Sequence, residues 1–185
     1  MKKIEVKILN PESIDQAEKM MVCAARLTQR GHQISCLSDF MDLYEKTYQR
    51  STVENLVKLP HLTIQKFGII NVVVVGASRR FLAQITRHQN EVKYMSASLQ
   101  YSDYSGVEDF VIPYDLIGTG QEKEYLKQCS MAMKNYQKMI AAGVDNDSVG
   151  YCAPQGMRNI LLISATPYQW KHMIRQRTCR RNTKE

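Results

Sequence analysis

HLTIQKFGIINVVVVGASRRFLAQITRHQ, residues 61–89, carries the strongest strand signal in the chain and runs directly into a helix start. It opens with alternation at Leu62 and Ile64 and becomes a nearly continuous apolar run from Ile69 to Val75. That pattern predicts a strand buried on both faces. Gly76 breaks the run, and Ser78 is placed to cap the helix SRRFLAQITRHQ, residues 78–89, whose apolar stripe is Phe81, Leu82 and Ile85.

Working outward, IEVKIL (4–9) alternates as a strand does, and Asn10-Pro11 marks a turn and a helix start. Ile14, Ala17, Met21, Ala24 and Leu27 recur at helical spacing until Gly31. Ser38 is a candidate cap for a second helix with Phe40, Met41, Leu43 and Tyr44, and Val53–Leu59 reads as a short third one stopped by Pro60. Residues 102–120, with three glycines and one proline, read as loop. Thr119-Gly-Gln-Glu122 has the form of a capping box for a long helix to Ala142, in which Leu126, Met133 and Ile140 repeat every seven with Cys129 and Tyr136 between. Gly143 stops it, and a last helix is expected over about Pro167–Arg177, after the apolar stretch Ile160–Ile163. With no repeat, low-complexity tract or linker, the expectation is one α+β domain over residues 1–185.

The totals narrow the function classes. At 185 residues, 44% hydrophobic and 23% charged, the composition is that of a globular chain with a real core. No apolar run is long enough for a membrane span, and MKKIEVKILNPES lacks the apolar region of a secretory signal, so a cytoplasmic location is expected. The five cysteines, an odd number without C-x-x-C spacing, and four histidines without H-x-x-x-H argue against a disulfide framework and a metal site. The net charge of +7 is concentrated in WKHMIRQRTCRRNTKE, residues 170–185, with six basic residues against one acid. Such a segment suits nucleic acid, a nucleotide or a phosphate-bearing cofactor, or is simply a solvated tail.

Polar groups crowd the helix of residues 78–89. Gln84, Arg87 and His88 stand at i, i+3 and i+4, which on one continuous helix places them on one side. A guanidinium fork beside an amide suits a phosphate or a pyrimidine edge; an ordinary polar flank facing water has the same spacing. Downstream, Ser96, Ser98 and Ser102 would share one face of an extended segment that includes Tyr94 and Tyr101.

These segments resemble the signature region of the flavin-dependent (alternative) thymidylate synthases. That family shows a histidine opening a strand, a segment like SRAxLAQLTRHR and a serine-rich run ending in RYS. Here stand His61-Leu62-Thr63, SRRFLAQITRHQ and YMSASLQYS (94–102). RQRTCRRNTKE, residues 175–185, is similar to the family's LRLCPRAQWE, with Arg177, Cys179, Arg181 and Glu185 in step, and AARLT (24–28) also fits. The resemblance implies helices packed on a mainly antiparallel sheet and a homotetramer with FAD at subunit interfaces. It implies reductive one-carbon transfer from methylenetetrahydrofolate to dUMP, giving dTMP, with NADPH reducing the flavin and no cysteine attacking the ring. Carried over residue by residue, it places Gln84, Arg87, Ser96, Ser98, Gln100 and Arg177 at the nucleotide, with Ser98 and Arg177 in the catalytic role. It places His61, Thr63, Arg87, His88, Gln89 and His172 at FAD.

The departures are specific. Gln89 and Gln100 replace family arginines, Ser96 replaces a glutamate, and the interval from Arg-His to the serine run is one residue longer. Gly150 stands where a phosphate-contacting arginine is expected, and Thr166 and Tyr168 align with an Asn-x-Arg pair. The sequence ends at Glu185, short of the segment that family members usually carry. The alternatives are a divergent relative acting on another pyrimidine nucleotide or without the standard activity, and a non-catalytic basic module that binds nucleic acid.

Overall fold

The computed structural model describes residues 3–182 and 184–185; Met1, Lys2 and Thr183, which belong to the N-terminal stretch and the tail quoted above, lie outside them. The four strands are β1 (Glu5–Ile8), β2 (Ile70–Ser78), β3 (Val92–Ser96) and β4 (Arg158–Ala165). They form one sheet in the order β1-β2-β4-β3, with every neighbouring pair antiparallel. The helices are α1 (Glu12–Arg30), α2 (Leu37–Glu45), α3 (Arg50–Leu56), α4 (Arg79–Ile85), α5 (Gly120–Ala141), α6 (Asn146–Val149) and α7 (Pro167–Arg177). This is the expected α+β class with an antiparallel sheet. No described helix is long and apolar enough to cross a membrane.

The β-branched run forms β2, but two details of its reading are corrected. Residues Leu62–Lys66 form a 3-10 turn, and the strand begins only at Ile70. The strand is also covered on one face only: Val72 and Val74 are buried while Val75 is 40% exposed. The covered face carries Val72, Val74, Leu161, Ile163 and Ala165, and Ile85 of α4 and Met173 of α7 close it. The opposite face shows Val75, Ile160, Leu162 and Met95 to solvent. A continuous apolar run is therefore satisfied by one packed face and one open apolar face.

Elsewhere the periodicities hold with shifts in their ends. Cys129, Met133 and Tyr136 of α5 are buried with Phe110, Val149 and Met157. On α1, Met21, Val22 and Ala25 pack against Val53 and Ile64, so Leu27 lies outside the buried stripe. The cap of α2 is Cys36 rather than Ser38, because Asp39 turns back to accept from the Ser35 and Cys36 backbone N–H groups. Those hydrogen bonds and the Ser35 hydroxyl hold the Asp39 carboxyl down at about 2. At α5 the box is half made: Glu122 accepts from Gly118 N–H at 2.6 Å, while the Thr119 hydroxyl donates to Leu116 O instead of capping.

Two strand-to-helix turns set up the site. β2 ends at Ser78, whose Oγ accepts from Phe81 N–H at 2.9 Å and starts α4. β4 ends at Ala165; Thr166 Oγ1 then accepts from Gln169 N–H, and Pro167 fills the first position of α7. Because β2 and β4 are antiparallel neighbours, α4 and α7 start from opposite ends of the sheet and cross the same covered face. Trp170 Nε1 donates to Ile70 O at 3.0 Å and fixes α7 against the start of β2.

Candidate active site

The C-terminal ends of α4 and α7 meet, and Arg177 is the hub of the meeting. Its Nε donates to His88 Nε2 at 2.8 Å, and its Nη2 donates to the Gln84 main-chain oxygen at 2.5 Å. Nη1 reaches Gln84 Oε1 at 3.4 Å and Asn182 Oδ1 at 3.5 Å. Helix C-termini present unsatisfied carbonyls and a partial negative charge, which explains why a cation sits here. Two short bonds thus set the plane of the guanidinium, and the long Nη1 contacts leave that edge able to exchange partners.

An arginine only donates, so His88 Nε2 must accept and its proton resides on Nδ1. Burial, the Arg177 charge and His172 together push the His88 pKa below its ordinary value. The His172 ring stands edge-on to His88 at 5.6 Å between centroids. Tyr94 steadies the turn: its hydroxyl lies 2.8 Å from Ile85 O and 2.9 Å from His88 O, sharing one proton between them. Burial pushes the Tyr94 pKa up to about 12, so the hydroxyl stays protonated. His172, Arg175, Gln176, Cys179, Arg181 and Asn182 line a basic depression of about 480 Å³ beside the hub.

The depressed His88 pKa has a pH signature. Above the unfolded-state value near 6.5 the neutral ring is the stable form in both states, and its link to Arg177 contributes fully. As pH falls through 6.5 toward the folded pKa, the unfolded chain takes up the proton first, so stability declines. The melting temperature is expected to drop between pH 7.5 and 5.5, and His88→Asn should flatten that slope. An equal slope in both proteins would show that His88 is not the titrating group.

The structure brings together Gln84, His88, Arg177 and His172 of the residues singled out in the sequence. The shared-helix-face argument for Arg87 fails, because α4 ends at Ile85 with Thr86 as its cap. Arg87 and Gln89 follow on the turn and are exposed. His61 and Thr63 are exposed around the 3-10 turn, and neither bonds to the Arg177 cluster. The serine run does not share one extended face: β3 ends at Ser96, and Ser98 Oγ accepts from Gln100 N–H at 3.1 Å in the following turn. Ser96 and Ser98 are half-buried and Gln100 exposed.

Three contributors have no role assigned to them from the sequence. Asn182 and the Tyr94 clamp are visible only once the turn is folded. The third is Glu185, which accepts from the Ser78 backbone N–H at 2.7 Å and from its hydroxyl at 2.5 Å, across 107 positions. The tail is thus an integral part of the site, Lys184 pairing with Asp115 as well. Arg158 is engaged with Asp109 at 2.8 Å and with Gly76 O at 2.6 Å.

A four-stranded antiparallel sheet with helices on one face, and an arginine–imidazole hub where two of those helices end, define an α+β protein with a polar, basic cluster at the ends of α4 and α7. The sequence model of the Thy1 family, thymidylate synthase complementing protein, matches residues 11–185, and the chain belongs to that family. Thymidylate Synthase X (ThyX) from Helicobacter pylori, crystallised with FAD and dUMP, superposes with a TM-score of 0.72 at 14% identity, covering 98% of this chain and 87% of that one. The UMP/dUMP methylase PolB from Streptomyces cacaoi, bound with 5-Br dUMP, gives a TM-score of 0.68 at 14% identity, over 97% of this chain and 80% of that one. At that identity the likeness is one of fold. No curated protein matches the chain.

Proposed function

We propose that the protein is a flavin-dependent thymidylate synthase-like enzyme. It would transfer a one-carbon unit from methylenetetrahydrofolate to dUMP, giving dTMP, with NADPH as reductant. The observation that carries this reading is the Arg177 guanidinium, oriented by Gln84 O and His88 with its Nη1 edge only loosely engaged. A fixed charge held in that way suits negative charge developing on the oxygens of a pyrimidine ring. Family membership and two structural neighbours crystallised with dUMP or 5-Br dUMP support it.

The donor set fits FAD: the hub and the adjoining depression are basic and rich in hydrogen-bond donors. His61, Thr63, Arg87, His88, Gln89 and His172 would hold it, and it would supply the electron-carrying chemistry that side chains lack. Gln84, Ser96, Ser98, Gln100 and Arg177 would hold the nucleotide. His88 keeps a proton at Nδ1 while Nε2 is occupied, so it presents a donor away from Arg177. In one chain Arg87, Gln100 and the His61–Thr63 pair are exposed and lie on three separate turns. A neighbouring copy would complete the set, and the open face with Val75, Ile160 and Leu162 offers apolar surface for a homotetramer.

Purified protein is expected to show flavin absorbance and to run as a tetramer. A colourless monomer that takes up no FAD on incubation would refute the reading. A second reading, a relative acting on another pyrimidine nucleotide, is favoured by Gly150: a Cβ there would stand 3.1 Å from Leu99 Cβ. Leu99 thus crowds the position where the resemblance expects a phosphate-binding arginine. Mass analysis of products from dUMP, dCMP and uridine, each with the folate and NADPH, separates the two.

A further inference from the structure

Helix α5 buries Cys129, Met133 and Tyr136 on one side and turns four lysines outward on the other. At about 100° per residue, Lys123, Lys127, Lys134 and Lys138 fall within an arc of about 60°, roughly opposite the buried stripe. With a rise of about 1.5 Å per residue the row is about 22 Å long. All four lysines are exposed, and Ser130 and Met131 flank the row near its middle.

No acid falls inside that arc. Glu122 and Glu124, the acids of the helix, are turned to other partners: Glu122 accepts from Gly118 N–H at 2.6 Å and Glu124 from Gln128 Nε2 at 3.5 Å. None of the four lysines makes an ion pair or a hydrogen bond among the described residues. Helix stability does not account for the row. Lys123–Lys127 and Lys134–Lys138 are like-charge pairs at i, i+4, which weaken a helix. Lys123 stands near the N-terminal end, where the helix dipole opposes a cation, and Lys138 alone sits at the end that favours one.

The chemistry of the face selects its partner. Protein interfaces are depleted of lysine and depend on buried apolar anchors, whereas the large apolar side chain beside this row is Met131 alone. A membrane-surface helix gives its apolar side to the bilayer, but that side of α5 is packed in the core. Two copies of the face set against each other would repel. A row of flexible point charges, without acid or anchor, complements a linear array of negative charge. Its length matches the rise of roughly six base pairs along one strand. A lysine row along one helix, in a chain of net charge +7, is the electrostatic footprint of nucleic-acid binding.

We propose that the outer face of α5 is a docking surface for nucleic acid, on which Lys123, Lys127, Lys134 and Lys138 follow the phosphodiester backbone without reading its sequence. The face is independent of the function proposed for the Arg177 hub, which is built from α4, α7 and the turns after them. The test is fluorescence anisotropy of the full chain with a labelled mixed-sequence DNA duplex and, separately, with one of its strands, from about 50 to about 200 mM salt.

The parent protein is expected to bind the duplex, with affinity falling steeply as salt rises. Replacing all four lysines by glutamine should weaken binding at least about tenfold at the lowest salt. It should also make the slope of log K against log salt shallower by about 3–4, since each phosphate contact contributes about 0.9. Glutamine is close to lysine in helix propensity, and circular dichroism checks the fold. Should the fourfold variant not fold, Lys127→Gln with Lys134→Gln decides, with about half the change in slope. No binding to either DNA at low salt overturns the proposal. So does a parent-like slope in the variants, which would put the contact on the basic tail of residues 170–185. Binding of polyglutamate as tight as that of the duplex also overturns it, in favour of an acidic protein partner.

Discussion

Arg177→Ala is expected to lower dTMP formation by about 10²–10⁴-fold while reducing flavin content much less. The guanidinium makes two short hydrogen bonds, to His88 and to Gln84 O, that fix its plane against the turn after α4. Each charge-assisted interaction of this kind contributes on the order of 1.5–3 kcal/mol, and a charge facing a reacting ring acts mainly on the transition state. Two such interactions with the ring oxygens, beyond the bonds to His88 and Gln84 O that orient the group, correspond to the stated range. Arg177→Lys keeps the charge but loses the fork, so it should recover only a part of the activity. Turnover equal to the parent in Arg177→Ala, measured with saturating dUMP, folate and NADPH, would remove this residue from the mechanism.

The second large effect concerns stability. Gly68→Ala should destabilise the fold by about 2–5 kcal/mol. Gly68 has φ +85°, a left-handed conformation that costs an L-residue about 1–2 kcal/mol. The added Cβ would also collide with Ala17, whose Cα backbone atom would stand only 2.7 Å away. Ala17 is 1% exposed in the middle of α1, so neither partner can give way freely, and overpacking of this kind costs about 1–3 kcal/mol more. For a chain of this size the melting temperature should fall by about 4–20 °C. A midpoint within about one degree of the parent would mean that the loop before β2 does not bear on α1 as described.

Much of the fold was legible because its elements carry strong local signals. The Ser78 cap, the heptad of α5 and the Pro167–Arg177 helix each depend on residues close together in sequence. What escaped depends on partners far away. Ile160–Ile163 reads only as an apolar stretch, yet it lies in β4, paired on both sides within the sheet. Pairing between distant segments leaves no local periodicity. In the 3-10 turn at Leu62–Lys66 the apolar residues Leu62 and Ile64 alternate in the sequence as in a strand, but the fold buries Ile64 beside Gln65 and leaves Leu62 exposed with Thr63.

The candidate site shows the same division. Gln84, His88, Arg177 and His172 were indicated by family-like motifs and do converge. Spacing alone misplaced Arg87, since it assumed that the helix continued; the chain turns at Thr86 because Tyr94 pins the Ile85 and His88 carbonyls.

Helix α4, about 10 Å long, is held at its beginning by Glu185 on Ser78 and at its close by Arg177 on Gln84 O. Both fastenings come from residues 177–185, which are synthesised roughly a hundred positions after the helix they secure. During translation the sheet's first strands can exist while the turn after α4 is still unlatched. The pocket therefore matures late, and a ribosome-bound chain carrying β2 and α4 but lacking this segment has the scaffold without its grip.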